Sequence, residues 1–243
     1  MTYQTDTHIA PEHSRDIADV PLAREYEALE TDNRVLNSVS TCHAIDGLAD
    51  IRSPDQDLVI WQRNLPGSLS TWLDGLDADN LPDLRVAVRP GDAQRALIPH
   101  LEECGMPAGT MRDLLLSDVS DLACVFAEIT HSEFVDIRLE SVSHDACWKF
   151  HRDYVEARLL TTYRGPATQW VQPQHASQAI EEQRDFGGPM EQMTAGDVAV
   201  FKGSCAGPGC GIVHRSPPIE GTGCTRLLLC LNQLSEASPA HLF

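Results

Sequence analysis

Three side chains in the C-terminal half of the chain have the types and spacing of a metal site. His151 and Asp153 are separated by one residue, so on extended chain, where side chains alternate with a period of two, both point to the same side. His214 follows a short apolar run and is the best candidate for a third ligand. Two imidazoles and one carboxylate leave three positions of an octahedron open, which suits non-haem Fe(II). The sequence therefore predicts a divalent metal site, with iron as the preferred ion.

A cationic residue opens the strand-like run that follows these candidate ligands. Arg226 lies twelve residues beyond His214 and begins the segment RLLLCLN. A guanidinium group binds a carboxylate through two parallel hydrogen bonds, and it is costly to bury without an anionic partner. A dicarboxylate that chelates the metal at its other end would supply that partner. An inward Arg226 therefore predicts an acidic cosubstrate.

Cysteines near the candidate ligands leave other metal chemistries open. Cys147 lies four residues before His151, and Cys205 and Cys210 shortly precede the third candidate ligand. Thiolate combined with imidazole suits zinc better than iron. One alternative is therefore a zinc- or iron-binding protein without oxygenase activity, with Cys147 and His151 as ligands. Another is a cupin-like metalloenzyme without 2-oxoglutarate, in which Arg226 points outward or binds substrate.

The elements that must position these residues change in character near residue 131. Beyond that point, short β-like runs are separated by turn residues. Runs of this kind span residues 134–142, 155–163, 197–202, 211–214 and 226–231. The polar insert at 172–189 contains no clear periodic element, so we interpret it as a long loop that covers the site.

Helical spacing dominates before residue 131. Apolar side chains recur at helical intervals in the stretches 69–76, 97–104 and 115–126, and short β-rich runs occupy 58–61 and 84–88. These patterns predict an α+β fold in which a helix-rich N-terminal region, residues 16–130, packs on a β-barrel or jelly roll formed by residues 131–243. Residues 1–15 are polar and are expected to form a disordered tail.

The charge of the chain excludes some classes of partner. There are 36 acidic and 18 basic side chains, which give a net charge of -18. Such a surface repels phosphate backbones and anionic membranes, so we expect no binding of nucleic acid or of membranes. No apolar run approaches the roughly 20 residues of a membrane span, and residues 1–12 do not have the pattern of a signal peptide. We therefore expect a cytoplasmic protein whose eight cysteines are reduced thiols.

Taken together, the motifs resemble the Fe(II)/2-oxoglutarate-dependent dioxygenase superfamily. His-x-Asp, a strand, a distal His and a basic residue about ten positions on form the pattern of that superfamily. TAGDVAVFKG resembles its Gly-Asp strand before the distal His, and HRSPPIEGTGCTR resembles its His-x-x-Pro…Gly…Lys/Arg segment. TYRGPATQW occupies the place of the Tyr-x-x…Gly-x-Thr-x-Phe stretch of the prolyl-hydroxylase branch. The resemblance covers roughly residues 131–234.

The resemblance implies a fold, a cofactor set and residue roles. The fold would be a double-stranded β-helix, or jelly roll. His151, Asp153 and His214 would bind Fe(II), and Arg226 would hold the distal carboxylate of 2-oxoglutarate, with Tyr163 as a further contact through its hydroxyl. The reaction would use O2 to oxidise, most simply to hydroxylate, a small-molecule or peptide substrate.

Other side chains near these motifs are candidates for contact with the substrate. Arg158 lies in the predicted strand after the His-x-Asp pair, Arg164 directly follows that strand, and Trp170 could form a wall of the pocket. Over its full length the chain resembles more closely an uncharacterised bacterial family of unknown function. The segments that carry this closer likeness are LVIWQRNLP, FHRDYVEARLLTTYRGPATQW and HRSPP…RLLL. That family has no settled activity, so the closer likeness adds no chemistry.

Overall fold

The computed structural model describes residues 38–239, and the expected disordered tail at 1–15 lies outside them. Within this part the chain forms a mixed α/β fold with two β-sheets. The strands are β1 (Val39–Cys42), β2 (Leu58–Trp61), β3 (Leu84–Val88), β4 (Val135–Val142), β5 (Ala157–Arg164), β6 (Gln169–Trp170), β7 (Glu191–Gln192), β8 (Val198–Lys202), β9 (His214–Arg215) and β10 (Arg226–Gln233). The large sheet has the order β1-β2-β8-β5-β10-β4-β3, and the small one has the order β7-β6-β9.

Strands from both halves of the chain share the large sheet. β1 and β2 form one edge and β3 the other, while β4, β5, β8 and β10 lie between them. β1 and β2 run parallel, and the other neighbouring strands are antiparallel. The β-rich runs at 58–61 and 84–88 are thus strands of this sheet. The division of the chain into two regions near residue 131 stays a prediction.

Helices cover one face of the large sheet. This layer contains a 3-10 helix (Ile45–Arg52) and the α-helices α1 (Gly67–Asp74), α2 (Ala93–Glu103) and α3 (Thr110–Thr130), whereas the fourth described α-helix, α4 (Ala176–Glu182), packs on the small sheet. Side chains of α3 that are three or four residues apart, such as Leu115, Val119, Leu122 and Phe126, are fully buried. The helix ends at His131, which adopts a left-handed conformation and donates its backbone N–H to the carbonyl of Ala127.

Alternation along β10 separates the two faces of the large sheet. The helix face carries Leu227, Leu229 and Leu231, which join the core formed with α1, α2 and α3. The opposite face, called the site face below, carries Arg226, Leu228, Cys230 and Asn232. The site face packs against the small sheet, since residues of both sheets, such as Leu160, Phe201 and Trp170, share a second apolar cluster.

The insert at 172–189 differs from the prediction. It contains α4 between two short 3-10 turns, 173–175 and 183–185. Ala176 and Ala179 of α4 pack on Phe150, Val171 and Val213, on the outer side of the small sheet. The interpretation as a loop without regular structure was wrong because the apolar contact surface of α4 is small, so the sequence shows little periodicity. Among the described helices, none is long and apolar enough to cross a membrane.

Candidate metal centre

Backbone pairing places the two candidate histidine ligands beside each other. His151 and His214 form an antiparallel bridge, with two N–H···O hydrogen bonds of 3.0 Å between them. Directly opposed residues of antiparallel chains project their side chains to the same face. The ring centroids are accordingly 4.7 Å apart. Sequence positions 63 residues apart are thereby brought to one point.

Asp153 completes the cluster, as the His-x-Asp spacing predicts. One ligand atom from each of His151, Asp153 and His214 lies within 4.8 Å of the others. Nε2 of His151 is 3.6 Å from Oδ1 of Asp153, and Nε2 of His214 is 3.4 Å from Oδ2. The side chains of Asp153 and His214 are almost fully buried, whereas that of His151 is about one-third exposed. The cluster therefore opens to one side.

The hydrogen bonds of the two rings leave their Nε2 atoms free to bind a cation. Nδ1 of His151 lies 2.8 Å from the carbonyl of Lys149, and Nδ1 of His214 lies 3.1 Å from the carbonyl of Ile212. A carbonyl oxygen only accepts hydrogen bonds, so the Nδ1 atoms carry the protons and the Nε2 lone pairs face the carboxylate. Oδ2 of Asp153 is buried without a hydrogen-bond partner. Two nitrogens and one oxygen thus converge as the histidine and carboxylate ligands of Fe(II) would.

The lowered pKa values of Asp153 and His214 favour metal binding near neutral pH, whereas the raised pKa of His151 makes a proton compete with the metal. Burial lowers the pKa of His214 to about 4, so this ring is neutral. The Asp153 carboxylate, 3.6 Å from Nε2, stabilises the protonated ring and so raises the pKa of His151 despite the opposing effect of burial. Burial alone would raise the pKa of Asp153, but the neighbouring His151, His214 and Arg158 keep that pKa below its usual value. Asp153 is therefore a carboxylate.

Close backbone packing holds the segment that carries Asp153. The amide and hydroxyl of Ser204 both donate to the carbonyl of Asp153, at 2.8 and 3.1 Å. A Cβ atom on Gly203 would lie 2.7 Å from that carbonyl oxygen and 2.2 Å from the one of Val155. Only glycine allows this approach, so Gly203 fixes the position of the ligand segment. The sequence reasoning missed this role, although Gly203 ends the strand motif TAGDVAVFKG.

Arg158 holds one oxygen of the Asp153 carboxylate and is itself held by Asn232. Nη1 of Arg158 donates to Oδ1 of Asp153 at 2.5 Å, and Nε donates to Oδ1 of Asn232 at 2.8 Å. Arg158 was predicted as a substrate contact, and it does line the pocket beside the cluster. Asn232 was not predicted. Its even spacing from Arg226 in a strand of alternating faces is the signal that could have found it.

Arg226 lies on the site face, as an inward clamp requires, and is almost fully buried. Its guanidinium donates to the carbonyl of Pro166 at 2.7 Å, to Oγ of Ser216 at 2.8 Å and to Oγ1 of Thr162 at 3.5 Å. These partners are uncharged, and burial lowers the pKa of Arg226 to about 10. Among residues 38–239, no carboxylate forms an ion pair with it.

The structure does not bring three of the expected contact residues to the cluster. Tyr163 is an odd number of residues from Arg158 along β5, so its side chain lies on the helix face. Its hydroxyl donates to Asp118 at 2.6 Å. Arg164 donates to carbonyls at the end of α1. Trp170 is buried in the cluster between the sheets, where it packs rather than lining the open pocket. The expected contact of Tyr163 with 2-oxoglutarate is therefore corrected, because its hydroxyl is hydrogen-bonded to Asp118 on the helix face, away from the metal ligands.

A pocket opens beside the histidines, and Arg138, Glu140 and Cys147 line it together with Arg158. Arg138 and Glu140 form an ion pair on β4. Cys147 is exposed and does not belong to the group of ligand atoms around Asp153 in the described part of the chain. The alternative of a zinc site that uses Cys147 therefore has no geometric support.

The chain belongs to a family described as Protein of unknown function (DUF1826), whose model matches residues 43–232. This agrees with the closer of the two resemblances noted in the sequence. No curated protein matches the chain.

Several solved structures resemble the fold at low sequence identity. A dioxygenase for auxin oxidation from Arabidopsis thaliana, solved as a complex with 2-oxoglutarate, is 8% identical with a TM-score of 0.49, over 84% of this chain and 95% of that one. A prolyl-4-hydroxylase from Pseudomonas putida is 13% identical with a TM-score of 0.41, over 79% and 99% of the two chains. At TM-scores below 0.5, these likenesses carry no argument about the reaction of this chain.

Proposed function

We propose that this protein is an Fe(II)- and 2-oxoglutarate-dependent oxygenase that acts on a small molecule or peptide. The observation that carries the proposal is the convergence of His151, Asp153 and His214. The Nε2 atom of His151 lies 3.6 Å from Oδ1 of Asp153 and that of His214 lies 3.4 Å from the unpartnered Oδ2, in a site that opens into a pocket. Two imidazoles and a carboxylate this close together suit a shared cation, and this set leaves coordination positions for a cosubstrate and O2.

The path of the chain supports a double-stranded β-helix as the fold that carries this site. After β4 in the large sheet, the chain passes to the bridge at His151 beside the small sheet and returns to β5. It then forms β6 and β7 in the small sheet, β8 in the large, β9 in the small and β10 in the large. Apart from the parallel pair β1 and β2, both sheets are antiparallel, and repeated crossing between two such facing sheets is typical of a jelly roll.

Arg226 supports 2-oxoglutarate as the cosubstrate. A buried guanidinium without an anionic partner is unfavourable, as the lowered pKa of about 10 reflects. The carboxylate of a bound dicarboxylate would relieve that cost. Arg226 shares the site face with Leu228, which lines the pocket, so such a ligand could lie along this face.

Each residue has a defined task in the proposed reaction. The two histidines and Asp153 bind the metal, and Arg226 orients the cosubstrate by its distal carboxylate. Leu160 and Leu228 form apolar parts of the pocket wall that exclude water. Bound iron and 2-oxoglutarate supply the oxidising chemistry, in which O2 is consumed and 2-oxoglutarate is converted to succinate and CO2.

Two measurements test the proposal. Anaerobic addition of 2-oxoglutarate to the Fe(II)-loaded protein should produce a visible charge-transfer band, and admission of air with a panel of metabolites should yield succinate. His214→Ala should abolish tight Fe(II) binding and with it the band. An iron-loaded wild type without any band would reject 2-oxoglutarate and favour a cupin-like metalloenzyme. A wild type that fails to bind Fe(II) would reject the metal site itself.

A further inference from the structure

The carboxylate of Asp153 uses its two oxygens differently. Oδ1 accepts a hydrogen bond from Nη1 of Arg158 at 2.5 Å, whereas Oδ2 has no hydrogen-bond partner and faces His214. One oxygen is therefore held by a guanidinium, and the other is free to bind a cation.

The guanidinium is itself held in place by a neighbouring strand. Arg158 of β5 and Asn232 of β10 are directly paired across the sheet, and Nε of Arg158 donates to Oδ1 of Asn232 at 2.8 Å. Asn232 is buried, the side chain of Asp153 is 4% exposed and that of Arg158 is 21% exposed. Water screens the contacts among Asp153, Arg158 and Asn232 only weakly because these side chains are largely buried. They should therefore contribute more than a solvated ion pair at the surface.

We infer that Arg158 is a positioning residue for the metal site, and this inference rests on the proposed function. By occupying Oδ1, it restricts Asp153 to binding the metal through Oδ2 alone. A carboxylate that bound through both oxygens would take up a coordination position that a chelating cosubstrate and O2 require. Arg158, fixed by Asn232, thus keeps the number of open positions that the oxygenase needs.

The test compares metal and cosubstrate affinities of Arg158→Met with those of the wild type. The full chain is titrated with Co(II), and the Co(II)-loaded protein is then titrated with 2-oxoglutarate. We expect Co(II) to bind about 10-fold more weakly to the variant, in the range found when groups behind metal ligands are removed. We expect a further loss of at least about 10-fold for 2-oxoglutarate, because the released Oδ1 competes for an open position.

Three controls separate this role from a structural one. Arg164→Met removes an arginine at the end of the same strand whose guanidinium donates to carbonyls at the end of α1, outside the pocket, and it should leave both affinities unchanged. Asn232→Leu should weaken the binding of Co(II) and 2-oxoglutarate in part. Asn232→Asp keeps an oxygen acceptor for Arg158 and should have both affinities near those of the wild type. The thermal midpoint of each metal-free variant shows whether the chain folds, and Arg158→Lys serves if the Met variant does not.

The outcomes distinguish the inference from the function on which it rests. If the wild type binds Co(II) and 2-oxoglutarate and Arg158→Met binds both equally well, the positioning role is wrong and the oxygenase proposal stands. If the variant loses metal affinity but binds 2-oxoglutarate normally once loaded, single-oxygen binding by Asp153 is wrong. If the wild type binds no metal, both proposals fail.

Discussion

Replacing Arg226 by methionine should separate stability from cosubstrate binding. Methionine has a similar length and carries no charge, so it tests whether the guanidinium serves the fold or a ligand. Arg226 is 1% exposed and has no acidic partner among residues 38–239. If the guanidinium served only the fold, its removal should strongly lower the free energy of unfolding.

The expected change in stability is small because two contributions oppose each other. Burial lowers the pKa of Arg226 to about 10, and each pKa unit corresponds to about 1.4 kcal/mol, so the buried charge costs roughly 3 kcal/mol. Below that pH the guanidinium is protonated in the folded and the unfolded state, so the cost is constant at neutral pH. Its three hydrogen bonds contribute about 1 kcal/mol each. The free energy of unfolding should therefore change by less than about 2 kcal/mol.

Cosubstrate binding should change far more. Removing one partner of a buried, hydrogen-bonded charge pair costs about 2–5 kcal/mol, which is roughly 30-fold or more in affinity. In the wild type loaded with Mn(II), 2-oxoglutarate at about 100 times its dissociation constant should stabilise the fold by about 2.7 kcal/mol. For a chain of this size that is a rise of roughly 5–10 °C in the thermal midpoint. Arg226→Met should show at most about one-third of this rise at the same concentration, because a 30-fold weaker site is then only about three-quarters saturated.

A matched variant controls for the loss of an arginine. Arg164→Met removes a guanidinium that binds two carbonyls at the end of α1, and it should keep the full rise with 2-oxoglutarate. The reasoning is refuted if Arg226→Met retains the rise. It is also refuted if the metal-free variant is destabilised by well over 3 kcal/mol, since Arg226 would then be needed by the fold.

Three further predictions follow from the geometry and charges of the site. Gly203→Ala should weaken metal binding by at least about 10-fold and destabilise the chain, because the added Cβ would lie 2.2 Å from a backbone oxygen. Gly91→Ala is the control in the same metal titration, because a Cβ at that position meets nothing within 4 Å. Metal binding near pH 6 should release about one proton, from His151 with its raised pKa, because His214 with a pKa of about 4 is already neutral. Calorimetry in two buffers of different ionisation enthalpy measures this number, and a release of two protons would contradict the assignment. Burial raises the pKa of Tyr163, so its contribution is fully present below about pH 10 and is lost as the unfolded chain ionises above that pH. Urea unfolding should therefore show an advantage of wild type over Tyr163→Phe that shrinks above about pH 10, and a constant difference would be inconsistent with a buried neutral phenol.

Local pattern was sufficient to predict most of the regular elements. The helical stretches correspond to α1, α2 and α3, and the β-like runs fall on β2, β3, β4, β5, β8, β9 and β10. These elements bury one clear face each, so their apolar residues repeat with the period of the element. The helix α4 escaped prediction because it buries little beyond Ala176 and Ala179.

The face of the sheet on which a strand residue lies was harder to predict than the strand itself. Tyr163 and Arg158 lie in the same strand, yet one faces the helices and the other faces Asp153. A shift of one residue moves a side chain to the opposite face of the sheet, and the resemblance of TYRGPATQW to a family motif does not determine on which face Tyr163 lies. The resemblance therefore gave Tyr163 a role that its position does not allow.

The sequence alone determined which residues could act together: a His-x-Asp pair that shares one side of an extended chain, a distant histidine and an arginine at the start of an apolar strand. The tertiary structure alone decided that His151 and His214 are opposed across an antiparallel bridge, and that the carboxylate between them has one oxygen held by Arg158 and one free. Side-chain alternation is a local property of the backbone. The pairing of strands far apart in sequence, by contrast, depends on how both sheets pack against a common core.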